Sequence, residues 1–140
     1  MFRKILWLIF PCFFFFTGIV TADDTEKERR SIVGSEKWLS IVDEGRYSES
    51  WVESAGYLKK SVTREQWEQL LQAARKPLGK LVSRNIRTKS YQTSLPGVPD
   101  GEYMIIQFET VFRNKQSATE TVTTMLDKDG KWRVAGYFIN

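Results

Sequence analysis

The hydrophobic period of this chain changes once, at Pro77-Leu78-Gly79, and that change constrains the fold more than any motif. Upstream, apolar residues recur every three to four positions; downstream, from Val82, they alternate. The first spacing aligns side chains on one stripe of a helix, and the second places them on one face of a strand. Helices followed by strands with short connections is the α+β pattern. The helices gather on one face of a curved antiparallel sheet, and successive strands lie side by side.

Three helices are expected. Trp38, Ile41 and Val42 mark the first, with Ser35 as its N-cap and Gly45 as its stop. Before it, residues 23–34 form a charged leader or a frayed helix start, without apolar periodicity. The second helix spans Ser48 to Lys59, with Tyr47, Trp51, Ala55 and Leu58 on its stripe. The third opens on Thr63-Arg64-Glu65-Gln66, a capping box in which Thr63 and Gln66 each accept from the other's backbone amide. Val62 and Trp67 supply a hydrophobic staple, and the stripe continues through Leu70, Leu71 and Ala74. Pro77 ends this helix near Lys76, since its ring removes a donor and clashes one turn back.

Four strands follow. Val82–Leu95 is polar and carries Ile86, Tyr91 and Leu95; Pro96–Gly101 is dense in turn residues and connects it to the next. Glu102–Asn114 is the clearest strand. Met104, Ile106, Phe108, Thr110 and Phe112 face the core, and Tyr103, Ile105, Gln107, Glu109, Val111 and Arg113 face away. Ala118–Leu126 is Thr-rich and suits a half-exposed sheet. Asp127-Lys128-Asp129-Gly130 is a hairpin turn; as a calcium loop it lacks the third ligand and the distal Glu. In Lys131–Ile139, Trp132, Val134 and Phe138 share one face, opposite Arg133, Ala135, Tyr137 and Ile139.

The N-terminus carries an address. Arg3 and Lys4 precede an apolar run from Ile5 to Val20, and Val20-Thr21-Ala22 offers a cleavage site before the polar Asp23-Asp24-Thr25. Residues 1–22 therefore form a secretory signal, and residues 35–140 a single domain in the periplasm. The alternative is a membrane anchor from uncleaved residues 5–20, a run shorter than the roughly 20 apolar residues of a span and interrupted by Pro11. Lipid attachment at Cys12 would need small residues before it, where Phe10-Pro11 stand.

Composition excludes whole chemistries. The only cysteine is in the signal, and the chain has no histidine. A disulfide framework, a thiol nucleophile, a Cys/His zinc site and a serine–histidine–acid triad are all ruled out, and no metal or cofactor is expected. The formal net charge of +4 includes Arg3 and Lys4, so the exported part is close to neutral and implies no acidic partner.

Trp38-Leu39, Gly45-Arg46-Tyr47, Ser50-Trp51 and Thr63-Arg64-Glu65-Gln66-Trp67 together resemble the bacterial exported family of unknown function numbered 4019. So do Arg75-Lys76-Pro77-Leu78-Gly79, Ser94–Tyr103, Glu120-Thr121-Val122-Thr123 and Asp129–Tyr137. The resemblance covers residues 36–140. The element order also resembles the nuclear-transport-factor-2-like, or cystatin-like, cone, which implies a pocket at its open end and no particular chemistry.

Catalysis without histidine would need a carboxylate, Tyr or Lys. Glu109 is the candidate base, with Tyr103 or Tyr137 as hydrogen-bond donor; the competing reading puts Glu109 on a solvated sheet face, paired across strands with Arg133. Trp38, Trp51, Trp67 and Trp132 sit on apolar stripes, as core or as pocket lining. The basic residues between Lys59 and Lys89 are diluted by Glu65 and Glu68 and do not indicate nucleic-acid binding. Three functional classes follow: a non-catalytic module binding a small ligand or an envelope protein, a small acid–base enzyme in the cone pocket, and a homodimer joined through a sheet face bearing Ile105, Val111, Tyr137 and Ile139.

Overall fold

The computed structural model describes residues 22–140. It contains α1 (Ala22–Asp43), α2 (Tyr47–Val52), α3 (Gly56–Ser61) and α4 (Arg64–Arg75), a 3₁₀ turn over Lys76–Leu78, then β1 (Leu81–Gln92), β2 (Tyr103–Phe112), β3 (Lys115–Leu126) and β4 (Trp132–Ile139). The strands form one antiparallel sheet in the order β1-β2-β3-β4. This is the α+β arrangement expected from the change of period. The expected signal, residues 1–22, lies outside the described residues apart from Ala22. Among the described residues no helix is long and apolar enough to cross a membrane.

The charged leader is the first half of α1. Asp23 and Asp24 lie in its first turn, where negative charge complements the helix dipole. Glu26 pairs with Arg29 and Arg30, while Lys27 joins Asp23 to Glu102 (2.7 Å) at the start of β2. Glu28 pairs with Lys89 of β1, so the leader is also tied to the sheet. Its buried stripe begins with Ser31 and Ser35 and only then becomes Trp38 and Val42. Two serines conceal the stripe from a hydrophobicity scan. Their hydroxyls donate to the carbonyls of Glu28 and Ser31 (2.8 Å each), which satisfies them inside the helix. Ser35 is thus an interior residue and not a cap. Gly45, at φ +76°, stops α1: its amide donates to Val42 and that of Arg46 to Ile41, a Schellman ending.

The second expected helix is two. The chain breaks at Ala55, whose extended backbone sends its amide to the Val134 carbonyl of β4 at 2.8 Å. Ala55 and Leu58 are still buried, and Tyr47 and Trp51 still pack on the core. In α4 the capping box forms as expected, with Gln66 N to Thr63 Oγ1 at 3.2 Å and Thr63 N to Gln66 Oε1 at 3.0 Å. Trp67, Leu71 and Arg75 make its buried stripe, and Leu70 is exposed.

In β2 the expected core face is buried throughout, from Met104 to Phe112. In β4 the expected faces change part-way. Thr123 pairs with Gly136 but Thr124 with Val134, so Ala135 is an extra residue. This bulge turns Tyr137 and Ile139 to the helix side, opposite Val122 and Glu120, and turns Phe138 out to solvent. The face expected to join two copies therefore loses Tyr137 and Ile139 and gains Phe138, which shares the outer face with Ile105 and Val111 across β3.

Candidate functional site

Six side chains from six elements converge where the helices end over the sheet. Asp43 closes α1 and Arg75 closes α4; Arg84, Thr110, Glu120 and Tyr137 come from β1, β2, β3 and β4 in turn. Arg84 bridges the two carboxylates, with Nη1 2.7 Å from Asp43 Oδ2 and Nε 2.7 Å from Glu120 Oε1. Arg75 Nη2 donates to Asp43 Oδ1 at 2.7 Å, and its guanidinium lies 4.7 Å from the centre of the Phe112 ring. Thr110 donates to Glu120 Oε1 at 2.6 Å, and the Tyr137 hydroxyl donates to Glu120 Oε2.

Glu120 has no exposed surface and Arg75 only 5 %. Burying isolated charges would be strongly unfavourable; two cations matched with two carboxylates remove most of that penalty. Burial works to raise the Asp43 pKa, but hydrogen bonds from Arg84 and Arg75 outweigh it and hold the carboxyl below its ordinary value. Burial, reinforced by the Glu120 charge, drives the Tyr137 phenol well above its ordinary value. All four carboxylate oxygens accept from protein donors, so the cluster clamps helices to sheet and presents no free base to a substrate.

The sequence-predicted candidates do not meet. Glu109 is exposed on the outer face between Asn85 and Thr119. Tyr103 is buried, and its hydroxyl donates to the Pro99 carbonyl, fastening the connector before β2. Tyr137 belongs to the ion cluster. Arg133 cannot reach Glu109, because β3 lies between β2 and β4; it binds Asp127 (3.1 Å) and Asp129 (2.7 Å) at the hairpin turn. The basic stretch is dispersed: Arg75 and Arg84 are in the cluster, Lys89 is on Glu28, and Lys59 caps the Val52 carbonyl at 3.0 Å. Sequence reasoning missed Glu120. Its signal was parity, since it shares the inward register of β3 with Ala118, Val122 and Thr124.

A cleft of about 210 Å³ opens between α1 and β4. Lys37, Trp38 and Ile41 line it from α1, and Trp132 and Val134 line it from β4, with Lys131 just before that strand. Gly34 permits the close approach: a Cβ there would lie 3.1 Å from the Trp132 carbonyl oxygen. Trp38 donates to Ser50 O and Ser54 Oγ, Trp51 to Val62 O and Trp67 to Ser50 Oγ. Trp132 is the described tryptophan whose indole N–H has no protein acceptor among the described residues; its Nε1 is open to solvent, and the buried donor atom without a partner is Arg75 Nε. Lys37 and Lys131 are exposed and form no ion pair there, although the Lys131 charge reaches Asp129. Among the described residues no group of three or more Asp, Glu, Cys or His side chains is placed to hold a metal ion.

Residues 34–137 match the model of a family of proteins of unknown function, DUF4019. The chain belongs to this family. The matched span of this DUF4019 domain contains the whole ion cluster and the whole cleft. No curated protein and no solved structure matches the chain.

Proposed function

We propose that this DUF4019 domain is a non-catalytic binding or assembly module of the bacterial envelope, exported by residues 1–22 to the periplasm, with the α1–β4 cleft as its binding site. One observation carries the reading: three donors with no protein acceptor, Lys37, Lys131 and the Trp132 indole, line a single cleft. The acidic groups of the interior are engaged by Arg84, Arg75, Thr110 and Tyr137, which favours binding over acid–base turnover. The helices-then-meander order supports the comparison with the nuclear-transport-factor-2-like cone.

Native mass spectrometry of protein purified from its own host tests this. The expected result is a species heavier than the polypeptide, carrying a small ligand or an envelope protein, that the cleft variant Lys131→Glu loses. A bare chain in every preparation would overturn the reading. Export is tested separately by osmotic-shock fractionation and N-terminal sequencing. A periplasmic protein beginning at Asp23 is expected; a membrane-retained chain beginning at Met1 would favour the anchor at residues 5–20.

A further inference from the structure

We infer that the α1–β4 cleft takes a small organic monoanion, a carboxylate borne on a single flat apolar body. This rests on the reading of the cleft as the binding site and adds the class of ligand.

The charge argument comes from which lining groups are already engaged. Arg133 touches the cleft but is held by Asp127 and Asp129. Lys37 and Lys131 are the lining cations outside any ion pair and Glu53 is the lining carboxylate, while Asp129, which shares Arg133 with Asp127, also feels the Lys131 charge. A second negative charge on the ligand would meet Glu53 without a cation to offset it. The Trp132 N–H adds a neutral donor that suits a carboxylate oxygen.

The size argument comes from the volume. About 210 Å³ is roughly seven waters at ~30 Å³ each, below the ~300 Å³ at which drug-sized pockets begin. One ring or a short branched chain fits this space. The exposed edges of Ile41, Trp38 and Trp132 supply the apolar surface against which such a body loses water. Inorganic anions would use the lysines and leave that surface wet.

The test titrates benzoate into ¹⁵N-labelled protein and follows the indole N–H resonances. Benzamide, benzylamine and inorganic phosphate serve as the neutral, cationic and non-aromatic comparisons. The Trp132 signal is identified by its loss in Trp132→Phe or by through-bond assignment. Benzoate is expected to move the Trp132 resonance saturably and to leave those of Trp51 and Trp67, which have protein acceptors, nearly in place. Replacing both lysines, Lys37→Ala with Lys131→Ala, removes two charge-assisted donors and weakens benzoate about tenfold or more. Both positions are exposed, so the fold tolerates the change. Glu53→Gln strengthens benzoate binding.

Benzamide or benzylamine binding as tightly as benzoate would overturn the anionic class. Phosphate binding as tightly would overturn the apolar body. A Trp132 signal indifferent to all four probes would overturn the inference as a whole. In each of these outcomes the native-mass experiment still decides, on its own, whether the domain binds anything.

Discussion

Glu120 and Glu109 sit on neighbouring strands in opposite surroundings. Glu120 accepts from Arg84, Thr110 and Tyr137 in the interior, so Glu120→Ala leaves Arg84 Nε, Thr110 and Tyr137 without that acceptor. Urea unfolding is expected to show a loss of about 3–5 kcal/mol. Glu109→Gln, on the solvated face, should stay within about 0.5 kcal/mol. Asp43 adds a pH dependence. Its folded pKa lies below the ordinary 3.8, so the unfolded chain takes up the proton first as pH falls. Its contribution is complete above that ordinary value and disappears as pH drops through the folded one. Asp43→Asn should therefore flatten the acid limb of a stability-versus-pH curve; an unchanged limb would contradict the assignment. The alternation of β3 exposed Glu120 as a charged residue in an inward register. Its partner Arg84 is 36 residues away in sequence, a separation across which no local pattern speaks.

Elements were legible where their signals are local. The α4 cap needs only Thr63 and Gln66, and it forms as the sequence demands. Thr63→Ala should lower stability by about 1 kcal/mol, measured as a shift in urea midpoint at constant slope. The end of α1 is equally local. Gly45 has φ +76° with open space around its Cα, so Gly45→Ala is expected to lose about 1 kcal/mol through backbone strain alone. The start of α1 was hidden because serines occupy its stripe; a close-packed helix face does not require large apolar residues. The break between α2 and α3 was hidden for another reason. Ala55 leaves the helix to bond Val134, which lies on the last strand. The bulge at Ala135 is likewise invisible to a period-two pattern, and one extra residue reverses every face after it.

The ion cluster ties α1 and α4 to all four strands, and that sets the behaviour of the whole molecule. Neither α1 nor α4 can leave the sheet without exposing part of a buried charge network. Far-ultraviolet and tryptophan signals should therefore report one coincident unfolding transition. A separate early step in tryptophan fluorescence would show that the helices undock independently. The order of hydrophobic periods determined the α+β class, the antiparallel order of strands and the core face of β2, because each is set by neighbours a few residues apart. Composition alone, through a single cysteine, Cys12, and the absence of histidine, limited the available chemistry. Only the tertiary structure decided that Glu120, Arg84, Arg75 and Asp43 neutralise one another, that Tyr137 points inward, and that Lys37, Lys131 and Trp132 line one open cleft. Those facts depend on distances between residues far apart in the chain, and such distances exist only once helices and sheet have packed.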